Sequence, residues 1–404
     1  MKTIKIFGTA LFAAFIISGC SNKGYKIEGA IAGDANGKKV FLYSDAGNKP
    51  VDSLVIENNK FTFKGEVEYP ALYKIKIIKN PPPEPNARRM VYQPVIPFFI
   101  ENAVISISAN LDSIPDEYKS RVNSYTYKDI KIEGSALNGL YLTYSAKKKV
   151  YDSKRSDIVD EYIRYLNPSQ GETKGKISQG VEIVTRVDQA AAERDAFVKQ
   201  FVKENNNNYI GLYSAYNALG SFSVSDIDEL LATINPELLL SKPGVKFIER
   251  ANEVKKTAVG SKFFDLDLVD HKGNSVKLSD YVGKGKYVLL EFWASWCGPC
   301  TADIPHLKEV YKLYNPEGFQ IVSVSLDDNK EAWIKGIEEF KLEWTQVSDL
   351  KAFKGDVAKI YGIAGVPTCI LTGPDGNIIT RNMRGSWMDK KLIVLYGNKF
   401  GKEY

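Results

Sequence analysis

Cysteine and histidine are scarce in this chain, at four and two among 404 residues. A structural zinc site takes four ligands. His271, His306 and the cysteines show no paired CxxC…CxxC spacing, so no metal centre is expected. Four cysteines in a chain this long are also too few for a disulfide framework. A surplus of one charge is lacking: 54 basic and 49 acidic residues are interspersed, for a net +5. That balance carries no nucleic-acid signal. Nor does any apolar run reach the roughly 20 residues that a membrane-spanning helix needs. What is present is ordinary for folded material, with 44% hydrophobic and 25% charged residues. At about 150 residues per domain, the length suggests two to three domains.

The N-terminus reads as an address. Lys2 and Lys5 precede "IFGTALFAAFII", residues 6 to 17, whose twelve apolar or small residues fit a secretory signal core. "ISGC" then places Cys20 as in a lipobox, so residues 1–19 are expected to be a lipoprotein signal peptide and Cys20 the lipidated mature N-terminus. Several acyl chains anchor stably where one holds only marginally. The expected place is the cell envelope, facing an oxidising compartment, on the inner or the outer membrane.

Three segments follow. Residues 20–136 read as an antiparallel β domain: "KFTFKGEV" sets Phe61 and Phe63 against Lys60, Thr62 and Lys64, and "LYKIKII" and "AVISISAN" alternate in the same way. "NPPPEPNARR", residues 80 to 89, reads as an exposed loop. Residues 137–256 read as helical. "SDIDELLATI" suggests an N-cap at Ser225 with Asp228 three residues on, and Ile227, Leu230, Leu231 and Ile234 on one face. A second helix should run through "VDQAAAERDAFVKQFVKEN" and stop at Asn205. Neither segment shows a catalytic constellation. Residues 257–404 read as an α/β domain in the order β-α-β-α-β-β-α. It opens with a hairpin turned at Gly273-Asn274 and closes with a helix from about Asp389.

"EFWASWCGPC", residues 291 to 300, joins an apolar strand to a helix through a CxxC. A cysteine at a helix N-terminus meets unpaired N–H groups and the positive end of the macrodipole, which favour the nucleophilic thiolate. Pro299 falls where its missing N–H costs nothing. Gly298 permits close approach of a partner chain. Cys297 is thus placed to attack a substrate disulfide, and Cys300 to resolve the mixed disulfide. Glu291 stands in a strand covered on both faces, where burial raises a carboxyl's pKa by up to about 3 to 5 units. There it is a candidate base for the Cys300 proton. Trp296 is a candidate border of the substrate groove, and Cys369 reads as a small core residue.

The segment "EFWASWCGPC", with "DLDLVDHKGNSVKLSDYVGKGKYVLL" before it and "YGIAGVPTCILTGPDGNI" after it, resembles the thioredoxin family, in particular the TlpA-like extracytoplasmic thiol-disulfide oxidoreductases. The resemblance covers about residues 257–404 and implies an α/β thioredoxin fold. By the same resemblance Cys297 is the attacking cysteine and Cys300 the resolving one. Glu291 takes the place of the buried acid, usually Asp. Pro367 takes that of a cis-proline facing the disulfide, with the Val366 backbone free to bond an extended substrate. Pro305 matches a proline that kinks the active-site helix. The β segment is similar to a domain of unknown function attached to thioredoxin domains in lipoproteins.

The implied activity is that of a membrane-anchored enzyme reducing disulfides of extracytoplasmic proteins, for example in cytochrome c maturation. It needs no cofactor beyond the Cys297–Cys300 pair, and it needs a membrane electron donor for re-reduction. Two other readings stand beside it. One is a peroxiredoxin-like peroxidase, which uses a lone cysteine. The other is a binding lipoprotein whose N-terminal segments carry the function.

Overall fold

The computed structural model describes residues 24–45, 47–80, 91–117, 129–167 and 175–401. The expected signal peptide (1–19), Cys20 and most of the proline-rich stretch 80–89 lie outside the described residues. The chain forms two compact units that meet in sequence at Gly139 and Leu140.

In the first unit, two four-stranded sheets share one core. One has the order β4-β1-β7-β8 and the other β3-β2-β5-β6. The strands of the first are β1 (Tyr25–Ala32), β4 (Lys60–Gly65), β7 (Val104–Asn110) and β8 (Lys131–Glu133). Those of the second are β2 (Lys39–Ser44), β3 (Asp52–Val55), β5 (Ala71–Ile77) and β6 (Val95–Ile100). Alternation decides what is buried: Phe61 and Phe63 of β4 enter the core, while Lys60, Thr62 and Lys64 face out. Ile27 and Ile105 from one sheet meet Leu42, Ile75 and Phe98 from the other. The expected β domain is present, and its strands form two sheets with their apolar faces together. Their pairs are antiparallel except β1 with β7, which run parallel from Lys26↔Val104 to Ala32↔Asn110. Period-two patterning marks which face is apolar, but not which strand lies beside which.

The second unit holds helices and a seven-stranded sheet. The helices are α1 (Ala136–Leu166, which starts in the first unit), α2 (Ile177–Glu204), α3 (Tyr209–Ala218), α4 (Val224–Thr233), α5 (Pro236–Leu239) and α6 (Lys242–Lys255). Helix α2 stops at Asn205 as expected. Helix α4 is capped by Ser223, not Ser225. Ser223 accepts from the Asp226 N–H, and the Asp226 carboxylate accepts from the Ser223 N–H. The apolar face is unchanged, because Ile227, Leu230 and Ile234 are all buried. Both Ser-x-x-Asp registers precede the same apolar stripe, so periodicity alone does not choose between them.

The sheet has the order β10-β9-β13-β12-β11-β14-β15. These are β9 (Asp267–Asp270), β10 (Ser275–Lys277), β11 (Val288–Trp293), β12 (Gln320–Ser325), β13 (Thr345–Ser348), β14 (Thr368–Thr372) and β15 (Ile378–Arg381). Strand β11 runs parallel to β12 and antiparallel to β14. Helices α7 (Gly298–Tyr314), α8 (Lys330–Glu339), α9 (Asp356–Tyr361) and α10 (Ser386–Tyr396) complete the α/β part. The expected α/β fold is present, with β13 and α9 added to the expected order. Helix α10 starts three residues before Asp389, at Ser386.

Every residue of β11 is buried. Val288, Leu290 and Phe292 face Val324, Tyr361 and Ile370, while Leu289 faces Leu307, Val310 and Leu392 on the other side. Each such apolar side chain contributes about 1.5–3 kcal/mol relative to exposure. Glu291 and Trp293 share the Leu289 face by the two-residue period.

Candidate active site

The chain leaves β11 at Trp293, turns through Ala294, Ser295 and Trp296, and enters α7. A buried carboxylate holds that turn. Asp327, only 2% exposed, accepts from the Ser295 N–H at 3.0 Å and from the Ser295 hydroxyl and the Ser325 hydroxyl, both at 2.7 Å. The Leu326 N–H bonds the Trp293 carbonyl at 2.8 Å. The loop that aims the CxxC is thus tied to the end of β12.

Cys297 is the N-cap of α7, and its sulfur accepts the Cys300 N–H at 3.2 Å. The two cysteines form a disulfide with an S–S distance of 2.08 Å. Cys297 keeps 4% exposure and Cys300 none. Pro299 lies in the first turn, and Pro305 lies inside α7. Gly298 and Pro299 are exposed, and a side chain at Gly298 would meet nothing within 4 Å. The rim beside the disulfide is therefore open to an incoming chain.

The bond between Val366 and Pro367 is cis. Thr368, the next residue, pairs with Phe292, which brings this segment to the disulfide end of β11. Val366 packs on the cluster formed by Trp293, Cys297, Cys300 and Trp333. Trp296 is 59% exposed, with its ring centroid 6.3 Å from that of Phe353, itself 41% exposed. Cys297, Cys300, Val366 and Pro367 thus gather at one edge of the sheet, and Trp296 precedes them on the exposed turn.

Glu291 lies beneath this edge. It is 3% exposed and pairs across the sheet with Ser323 and Cys369. The Ser323 hydroxyl donates to its Oε2, and the Trp344 indole N–H donates to the Ser323 hydroxyl at 2.7 Å. Burial dominates its titration and pushes its pKa up to about 7. The Ser323 bond and the Arg384 cation pull it down, and the Asp303 carboxylate pushes it up. Asp303 and Leu307 of α7 border the same small cavity as Glu291. Cys300 lies three and seven residues before them, on the same face of the helix. Cys369 also borders the cavity. It is a free, buried thiol pushed well up by desolvation and by Glu291, as suits a core residue.

Serines at 323 and 325 in an otherwise apolar, doubly covered strand are the signal of buried carboxyls, one across the sheet and one two residues along the chain. One hydroxyl serves Glu291 and the other Asp327. Arg384, which pairs with Asp303 at 2.6 Å, has no such signal, because it reaches the site from a loop distant in sequence. Among the described residues, no three His, Cys, Asp or Glu side chains converge as a metal site. Among the same residues, no helix is long and apolar enough to cross a membrane.

A strand–CxxC–helix unit beside a cis X-Pro segment, over a buried carboxyl, defines a thioredoxin-fold dithiol–disulfide protein. The AhpC/TSA family model matches residues 259–381, and the domain of unknown function DUF4369 matches residues 25–141. Thiol-disulfide oxidoreductase ResA of Geobacillus kaustophilus is 36% identical over 143 residues, covering 35% of this chain and 79% of that protein. ResA of Bacillus thuringiensis subsp. konkukian is 30% identical over 138 residues, covering 34% and 76%. The chain belongs, through this domain, to the family of ResA-type thiol-disulfide oxidoreductases. It is also similar to the solved thioredoxin domain of a Bacteroides vulgatus thiol-disulfide oxidoreductase. That structure is 38% identical, with a TM-score of 0.31, and the match covers 35% of this chain and 99% of that one. For the ResA-type family the implied class of substrate is disulfide-containing protein.

Proposed function

We propose that the chain is a lipid-anchored, extracytoplasmic reductase of protein disulfides. The observation that carries this reading is the exposed-rim disulfide of Cys297 and Cys300 over a buried Glu291 that titrates near neutrality. In the reduced enzyme the Cys297 thiolate attacks one sulfur of a substrate disulfide. A mixed disulfide forms, and the other substrate sulfur leaves as a thiolate. Glu291 takes the Cys300 proton, and the Cys300 thiolate attacks the Cys297 sulfur. The enzyme disulfide closes and the second substrate sulfur is released, so two electrons have passed to the substrate. An acid with a pKa near 7 exchanges protons readily at neutral pH, and such positioned groups contribute 10²–10⁴-fold. The segment Val366–Pro367 would hold the substrate chain beside Cys297, with Trp296, Gly298 and Pro299 as the rim.

Cys20 would fix the protein to a membrane, and an electron donor there would return the pair to the dithiol. Exported proteins whose cysteines must be reduced, such as cytochrome c precursors, fit as substrates. The β unit (20–136) and helical segment (137–256) would serve partner choice. The reduction potential tests the direction. We expect a value near the roughly −270 mV of reducing thioredoxins, whereas one near −120 mV would make the protein an oxidant.

A further inference from the structure

Helices α1 and α2 pack on the residues that follow Arg384. Arg384 ends the segment that leads into α10, and its Nε lies 2.6 Å from Asp303 Oδ2. These two side chains, with Glu291, His306, Cys369 and Gly385, line the small cavity on the Leu289 face of β11. The space for a water's centre there is ≈ 10 Å³, about what one water molecule needs.

The residues directly after Arg384 are gripped by the helical pair. Gly385 has φ 50°, and a side chain there would come within 2.5 Å of the Tyr162 Oη of α1. The Ser386 N–H donates to Tyr162 Oη at 3.0 Å. The Tyr162 ring meets Trp387 edge-on, with centroids 5.0 Å apart. From α2, Asp188 accepts from Trp387 Nε1 and from Lys390 Nζ, both at 2.8 Å. Gly180, within the first turn of α2, has no side chain where one would lie 2.2 Å from Ser386 Oγ.

We propose that Tyr162 and Asp188 are positioning residues of the redox centre: by fixing Gly385–Trp387 they keep Arg384 on Asp303 at the cavity that Glu291 borders. The helical pair is then part of the proton-handling machinery and not only a partner-selecting module. This rests on the reading of Glu291 as the group that exchanges the Cys300 proton. The charged and titratable groups around Glu291 are Asp303 and His306 on α7, Cys369 on β14 and Arg384 before α10. Asp389 of α10 stands behind His306, at 2.7 Å, and Tyr162 of α1 behind Arg384. Of these, Arg384 favours the Glu291 carboxylate and Asp303 opposes it. If Arg384 swings away, the opposing charge remains, and the proton affinity of Glu291 rises.

The test is a titration of the full, oxidised chain carrying ¹³Cδ-glutamate, followed by carboxyl chemical shift, with the Glu291 signal assigned by its loss in Glu291→Gln. Tyr162→Phe keeps the ring and removes the acceptor oxygen. Asp188→Ala removes an exposed carboxylate. Arg384→Gln is the reference for full loss of the cation. The expected result is an upward move of the Glu291 midpoint by about 0.5 to 1 pH unit in Tyr162→Phe and in Asp188→Ala, and by more in Arg384→Gln. The pH midpoint of mixed-disulfide resolution should follow it. A loss of stability alone would lower the yield of folded protein but leave the midpoint in place. The proposal is overturned if Arg384→Gln moves the midpoint while Tyr162→Phe and Asp188→Ala do not, or if none of the three moves it. A wild-type midpoint near the ordinary carboxyl value would instead overturn the Glu291 reading, before any positioning variant is compared.

Discussion

Glu291 is the residue at which burial, titration and stability meet. Its folded pKa of about 7 stands above the ordinary 4.5, so between those pH values the folded chain holds a proton that the unfolded chain has lost. Folding is not penalised by this group below about pH 4.5. Stability is lost progressively as pH rises toward 7, and the full cost, about 3 kcal/mol, applies above that. Glu291→Gln keeps an oxygen to accept from Ser323 and cannot ionise. Its unfolding free energy relative to the native enzyme is therefore expected to rise by about 1–3 kcal/mol between pH 5 and pH 8. Denaturant titrations at the two pH values measure this, and an unchanged difference would mean that the carboxyl is not desolvated. Much of this was legible in the sequence: an acid inside an apolar strand, six residues before the first cysteine, has no wet face to reach. The partners that set its titration were not. Ser323 is one strand over, and Asp303 and Arg384 come from α7 and from the approach to α10.

At the scale of elements, the CxxC depends on the β11–α7 turn, and that turn depends on Asp327. Removing the carboxylate leaves the Ser295 N–H and two buried or half-buried hydroxyls without their acceptor. Hydrogen bonds to charged groups contribute about 1.5–3 kcal/mol, and stranded donors add desolvation cost. Asp327→Ala is expected to lose roughly 2 to 4 kcal/mol in chemical denaturation; a loss under about 1 kcal/mol would show that the turn holds itself. Helix α2, with its long periodic stretch, and β11, a run of apolar residues interrupted only by Glu291 ahead of the CxxC, are legible in the sequence. Strand β13 is not: it has only four residues, Thr345–Ser348, and both of its faces are covered, so Gln346 and Ser348 are buried without an alternating pattern. The six-residue helix α9 follows a loop with positive φ at Leu350 and Ala352, non-glycine residues that give no turn signal of their own. The cap of α4 moved by two residues for a local reason, a second Ser-x-x-Asp in the same window.

In the molecule as a whole, the helices that follow the β unit belong with the α/β sheet, and the glycine at 180 is where they close on α10. Alanine favours a helix interior by about 1 kcal/mol over glycine. A Cβ there would lie 2.2 Å from Ser386 Oγ and 2.8 Å from the Tyr165 ring, and overpacking of that kind costs about 1–3 kcal/mol. The clash should win: Gly180→Ala is expected to lower the Tm of the chain by roughly 2 to 6 °C, whereas a raised Tm would mean that the contact is loose. The sequence pattern shows both helices but not this closure, because it is carried by single residues about 200 positions apart. In the proposed cycle Cys297 is the attacking sulfur and Cys300 the resolving one, while Cys369 stays buried and silent. The most direct test of that cycle is mass spectrometry of the Cys300→Ser chain after exposure to a disulfide-bonded peptide. The expected result is a stable mixed disulfide on Cys297, one per chain, and none in Cys297→Ser. An adduct on Cys369, or no adduct at all, would contradict the cycle.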